Sequence, residues 1–214
     1  RCSRAPVVSD ARPAEARTRV VLATRNAGKI ADFQHLLDAA QLPIDVVSVG
    51  EFADLADTVE TGVTFEENAR LKADDVARAT GLPALADDSG LAVDVLGGCP
   101  GVFSARWSGT HGADQANIDL LLAQTGDVPA DELTARFMCC VALAVPDEST
   151  QVEFGHVEGR LTRDQRGMNG FGYDPIFELP DGRTMAELTA DEKAAISHRG
   201  RAFRAILPQV AALV

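Results

Sequence analysis

Five short segments carry side chains that could act on an anionic ligand. In Thr24-Arg25-Asn26-Ala27-Gly28-Lys29 a buried strand turns into a helix. Backbone N–H groups at such a turn, with the positive end of the helix behind them, favour an anion. Asn26 adds an amide and Lys29 a point charge, although an ordinary βα turn with a solvated lysine reads the same way. Asp87-Asp88-Ser89-Gly90 closes another buried run. Side chains alternate along a strand, so Asp87 and Asp88 should face opposite ways and only one should reach a given site. An aspartate at the carboxyl end of such a strand suits a magnesium ion that also holds phosphate oxygens. An Asx-turn satisfied by Asp87 and Ser89 is the structural alternative.

Three further segments, the first running from Glu60 to Lys72, offer supporting groups. Lys72 sits at the edge of a helix's apolar stripe, where a lysine either snorkels to water or finds an anion. Glu60, beside Thr61-Gly62, could reach a metal or remain a solvated loop carboxylate. Gly170-Phe171-Gly172-Tyr173-Asp174-Pro175 lets the backbone approach a flat ligand while Phe171 offers a ring for a base, or forms a tight turn around a core phenylalanine. Ser197-His198-Arg199, with Lys193 one turn earlier, can donate to carbonyl acceptors or line the surface of a last helix.

These groups need elements to hold them. Arg19–Thr24 reads as a buried strand, followed by a helix with Ile30, Phe33, Leu36, Leu37 and Ala40 on one face. Ile44–Val49 is a second strand, and Gly50–Gly62 a loop. Thr64 with Glu67 is a capping box that starts a helix ending at Thr80-Gly81, with Phe65, Ala69, Ala73 and Val76 inward and Asn68 and Lys72 beside that stripe. Leu82–Ala86 reads as a strand ending at the two aspartates, and alternating Leu91, Val93 and Val95 as a separate, half-exposed one. Asn117–Gln124 is helical, Ala135–Val145 a central strand, and Val152–Glu158 its neighbour. Thr189 and Glu192 cap a short helix carrying Lys193. Ala202, Phe203, Ile206, Leu207 and Val210 face inward from the last one. Strands and helices interleaved throughout predict an α/β fold with a mixed sheet.

The 214 residues carry 20 Lys+Arg against 32 Asp+Glu, a net charge of −12, and are 46% apolar. That length suffices for a real core. The acidic balance opposes a sequence-independent grip on nucleic acid, yet local lysines can still build a positive pocket. The longest apolar run, Phe137 to Val145, is too short to span a bilayer. Four cysteines at 2, 99, 139 and 140 lack CxxC spacing, so neither a disulfide framework nor a zinc knuckle is expected, and a reduced, cytoplasmic setting is. Residues 1–18, rich in Ala, Arg and Pro without an apolar stretch, read as a disordered extension or cloning remnant, not a secretory signal.

The motifs VVLATRNAGK, ETGVTFEENARLKA, ADDSGLAVDVLGGCPGVFSARWSG, GFGYDPIF and ELTADEKAAISHRGRA occur in that order. Together they closely resemble the inosine/xanthosine triphosphate pyrophosphatases, over about residues 19–210. The resemblance implies a long twisted mixed sheet flanked by helices, with two lobes around an active-site cleft, and one catalytic domain over 19–214. It implies magnesium-dependent cleavage of ITP, dITP and XTP to the monophosphate and pyrophosphate, by a homodimer that contacts neither nucleic acid nor membrane. By position, Thr24 to Lys29 would hold the triphosphate with help from Lys72. Asp88 would bind magnesium and activate water, with Glu60 a second metal ligand, Asp57 the other candidate and Asp87 a supporting group. Ser89 would touch the substrate and Phe171 would stack on the purine. Gly172, Tyr173, Asp174, Lys193, His198 and Arg199 would line the base end. Arg25 stands where many relatives carry glycine, and Val59 where many carry an acid. Two other readings are a Maf-like pyrophosphatase for modified pyrimidine nucleotides and a nucleotide-binding regulator without turnover.

Overall fold

A computed structural model describes residues 17–53 and 55–214. Its frame is a six-stranded mixed sheet. Strand β1 (Thr18–Leu22) leads into helix α1 (Ala27–Ala39), and β2 (Ile44–Ser48) returns parallel to β1. Helix α2 (Phe65–Thr80) then crosses to β3 (Ala84–Val93), which lies parallel to the other side of β1. After helix α3 (Asp114–Gln124), strands β4 (Thr134–Ala144) and β5 (Gln151–Leu161) form a long antiparallel meander on β3. The short β6 (Phe177–Glu178) completes the order β2-β1-β3-β4-β5-β6. Helices α4 (Ala190–Ile196) and α5 (His198–Ala211) close the chain.

Local chemistry sets these boundaries. The Asn26 side chain caps α1 by accepting the N–H groups of Gly28 and Lys29. Thr64 and Glu67 form the capping box of α2, and Gly81 ends that helix in the left-handed conformation at φ 67°. Val20 to Leu22 of β1 are buried on both faces, so they read as an unbroken apolar run. Val20 and Leu22 pack with Phe33 of α1 and with Phe203 and Ile206 of α5, while Val21 packs with Ala69, Ala73 and Val76 of α2. A third cluster joins Leu91, Val93, Phe137 and Leu161 to Tyr173, Ile176 and Met185. The apolar core therefore lies on both faces of the sheet and extends beneath the segment after β5.

Several expectations shift. The segments expected as two strands around the aspartates are one, β3, because β4 pairs with it at every residue from Ala84 to Val93. Asp87 to Gly90 thus lie mid-strand, and Val95 belongs to an exposed 3-10 turn, Asp94–Leu96. Ala40 is the exposed C-cap residue of α1, not part of its apolar face. Arg17 and Thr18 belong to the fold, not to a leader: Thr18 starts β1, and Arg17 pairs with Asp38 at 3.1 Å and Asp45 at 2.9 Å. Residues 1–16, which hold Cys2 and the rest of the expected extension, lie outside the described residues. The other three cysteines are free thiols. Among the described residues, no helix is long and apolar enough to cross a membrane.

Candidate active site

The crevice exists because β1 is short and β3 is long. Strand β1 ends at Leu22, opposite Leu85, and the last tie is Ala23 N–H to the Leu85 carbonyl at 2.8 Å. Beyond that point β3 keeps its β4 partner but loses the β1 one. Its open edge faces the start of α1 and the loop before α2, so groups from both faces of β3 border one opening. Ligands of open α/β sheets bind at such carboxyl ends of parallel strands.

Asp87 takes the α1 and α5 side. Lys29 Nζ reaches its two oxygens at 2.8 and 3.0 Å, and Arg199 Nε reaches it at 3.2 Å. Ser89, two residues on and so on the same face, donates its hydroxyl at 3.3 Å. Burial pushes the Asp87 carboxyl up, but Lys29 and Arg199 outweigh it and hold the group well below the usual carboxylate range. Asp87 is an ionised hub for two cations.

Asp88 takes the α2 side. Lys72 Nζ bridges Asp88 at 3.2 Å and Glu60 at 2.9 Å. Burial raises the Asp88 carboxyl and, despite Lys72, the neighbouring Glu60 charge adds to that rise. Burial disfavours the Lys72 charge, but Asp88 and Glu60 more than restore it, and its pKa is raised. Lys72 therefore does not snorkel to water. A cavity of about 190 Å³ opens here, lined by Ala23, Thr58, Glu60 and Lys72. Asp57 is bound to Arg25 Nε at 3.3 Å, which turns the Arg25 charge toward its own loop. Thr24 supports the turn, its hydroxyl accepting the Asn26 N–H at 3.2 Å, and Ala27 and Gly28 form the first turn of α1.

Phe171 is 68% exposed and is no core residue. Its N–H donates to Asp174 at 2.9 Å, and the Gly172 N–H donates to Asp114, the first residue of α3, at 2.8 Å. Tyr173 anchors the loop below, donating its hydroxyl to the Ser104 carbonyl at 2.9 Å. Lys193 pairs with Asp174, and its ammonium lies 5.2 Å from the Phe171 ring centre. Gly170 has φ +81°, and a Cβ there would stand 2.0 Å from an Asp174 oxygen, so only glycine fits.

His198 opens α5, next to Arg199. Its ring stacks on Phe137 at 5.1 Å, and its Nδ1 is buried without a partner. Burial first, then the charges of Arg199 and Lys193, push its pKa down to about 3, so the imidazole is neutral at ordinary pH. Arg199, expected at the base end, spends its Nε on Asp87 beside Lys29. Two groups went unassigned in the sequence. Arg106 lies 3.9 Å from Glu60 and 5.4 Å from the Phe103 ring. Asn68 is fully buried against Asp88, and its one signal was a polar residue four before Lys72 on the same face.

Fold and crevice define an α/β protein whose paired acids and lysines gather at the end of a parallel strand. The chain belongs to the Ham1 family, which it matches over residues 20–209. It is 57% identical over 199 residues to a Streptomyces avermitilis protein named dITP/XTP pyrophosphatase, covering 92% of this chain and 99% of that one. Its fold matches the Staphylococcus aureus Ham1 protein with TM-score 0.84 at 39% identity, covering 92% of this chain and 100% of that one. A nucleoside-triphosphatase, dITP/XTP pyrophosphatase from Mycobacterium abscessus matches with TM-score 0.79 at 46% identity, over 90% and 100%.

Proposed function

We propose that this protein hydrolyses the α–β phosphoanhydride of deaminated purine nucleoside triphosphates, XTP, ITP and dITP, releasing the monophosphate and pyrophosphate. The observation that carries the reading is the pair of ionic clusters on the two faces of β3, Asp87 with Lys29 and Arg199 on one and Asp88 with Lys72 and Glu60 on the other. His198 stands next to Arg199 at the start of α5, and Lys193, one turn earlier, lies 5.2 Å from the centre of the exposed Phe171 ring.

The residues present fit a magnesium ion. Asp88 and Glu60 converge on one ammonium, Lys72, which stands where a cation is wanted. Among the described residues no group of three His, Cys, Asp or Glu side chains could hold a metal. Magnesium is commonly held by one or two carboxylates with water and phosphate oxygens completing its shell. Once bound, it would neutralise phosphate charge and acidify a water.

The chain's own residues do the rest. Lys29 and the N-terminal turn of α1 bind the triphosphate, with Lys72 and Arg106 beside them to neutralise a departing pyrophosphate. Positioning and charge neutralisation supply most of the catalysis in phosphoryl transfer. Asp88, with its pKa raised, is the base that takes the proton of the attacking water. Phe171 stacks on the purine, and Lys193 with Asp174 fixes the ring that does so. A neutral His198 and the free guanidinium nitrogens of Arg199 offer donors to O6, where adenine carries a competing donor. An unpaired buried donor costs about 1–3 kcal/mol, enough to reject adenine.

The test is a product assay with XTP, dITP and the four common deoxynucleotides. Pyrophosphate, not orthophosphate, should appear mainly from the first two. Comparable turnover of dATP or dTTP would defeat the specificity, turnover of UTP and 5-methyl-UTP would favour the Maf-like reading, and tight XTP binding without hydrolysis a regulator. The catalytic unit extends at least from Arg17. The homodimer is checked by light scattering on the eluting protein, and free Cys99, Cys139 and Cys140 suit the reducing cytoplasm.

A further inference from the structure

We infer that Asn68 is the positioning residue that sets the separation of the two metal-binding carboxylates, Asp88 and Glu60; this rests on the function proposed above. Asn68 is wholly buried in α2 and spends both ends of its amide. Its Nδ2 donates to Asp88 Oδ2 at 3.2 Å, and its Oδ1 accepts the Gly62 N–H at 2.8 Å. Gly62 lies two residues after Glu60. One side chain therefore ties the strand that carries one acid to the loop that carries the other. The orientation of the amide is not free. A backbone N–H can only donate and an ionised carboxylate can only accept, so reversing the amide would lose both bonds.

The Asp88 bond also divides labour within that carboxylate. Asn68 holds Oδ2, while Oδ1 is the oxygen that Lys72 meets. The contact at Gly62 is tight for the same reason. A Cβ there would stand 2.6 Å from Asn68 Oδ1 and 2.9 Å from the Asn68 backbone nitrogen. Gly62 can approach Asn68 only because it has no side chain, so the loop's height above α2 is fixed by this pair.

Two variants test the inference. Asn68→Leu keeps the volume and removes both bonds. Gly62→Ala pushes the loop away from Asn68 and Glu67 while keeping the Asn68 side chain. Mn²⁺ binding is followed by electron paramagnetic resonance with an α,β-imido XTP analogue bound, XMP binding by calorimetry, and XTP turnover as separate kcat and KM. For Asn68→Leu the Mn²⁺ dissociation constant should rise, and kcat fall, by about tenfold or more, with XMP affinity and KM within about twofold, as for loss of a partner behind a metal ligand. Gly62→Ala should move the same two quantities in the same direction by a smaller factor. Wild-type Mn²⁺ affinity in both variants would overturn the inference, and so would XMP affinity falling in step with Mn²⁺ affinity. Should Asn68→Leu fail to fold, Gly62→Ala decides alone, and unchanged Mn²⁺ binding overturns it. A wild type that binds Mn²⁺ but leaves XTP intact defeats the proposed function, while the Mn²⁺ comparison still decides this inference.

Discussion

Asp87 and Asp88 show how neighbouring identical residues come to differ. Strand alternation sends one toward Lys29 and Arg199, the other toward Lys72 and Glu60. Burial raises both carboxyls, but two cations overcome it at Asp87, while at Asp88 the charge of Glu60 works against Lys72 and the rise remains. Asp88→Asn should therefore abolish base catalysis, lowering kcat by about 10²–10⁴-fold, while calorimetry finds nucleotide still bound. Asp87→Ala should act mainly on stability. It strands two partly buried cations, and losing one member of a buried ion pair costs about 3 kcal/mol, to be read as a lower urea midpoint. A drop no larger than that of an exposed carboxylate, such as Glu148→Ala, would show Asp87 to be no hub. Phe171→Ala should raise KM for XTP by roughly tenfold with little change in kcat, since base–aromatic stacking is worth about 1–3 kcal/mol.

The length difference between β1 and β3 is the feature of the elements on which the site depends. It opens the edge of β3 where the two aspartates stand. The loop after β5 is placed by ties to three other segments, through Asp114, Ser104 and Lys193. Gly170→Ala should loosen that loop and nothing else. With φ at +81° and Asp174 in the way, the variant should raise KM while the thermal midpoint moves little. Equal changes in Phe171→Ala and Gly170→Ala would show that Gly170 acts by placing the ring that Phe171→Ala removes. The capping boxes at Thr64 and Thr189 were legible as sequence because their bonds are local. The unity of β3 was not, because charged residues at 87 and 88 look like a strand end until a long partner strand is known.

Over the whole molecule, burial among cations leaves His198 neutral, with a pKa near 3 against an ordinary 6.5. A depressed histidine contributes stability that is present above the unfolded-state value and lost as pH falls below it. Between about pH 6 and pH 3 the unfolded chain takes up a proton that the folded chain refuses. The wild type should thus lose stability over that window more steeply than His198→Gln, as urea midpoints across the range would show. Parallel slopes would mean that His198 protonates in place.

Element types, caps, the apolar faces of α2 and α5 and the five motifs could be read from residue order, because each depends on groups within a turn or a strand of one another. Opposite faces for Asp87 and Asp88 followed from the same local geometry. Which cation each aspartate would meet did not, since Lys29, Lys72 and Arg199 come from three helices and reach β3 only after the sheet has formed. Asn68 is the clearest case. In sequence it is a polar residue beside an apolar stripe; the packing of α2 on β3 and the descent of the Gly62 loop make it a tie between the strand that carries Asp88 and the loop that carries Glu60, and a contact between segments that are distant along the chain leaves no local signature.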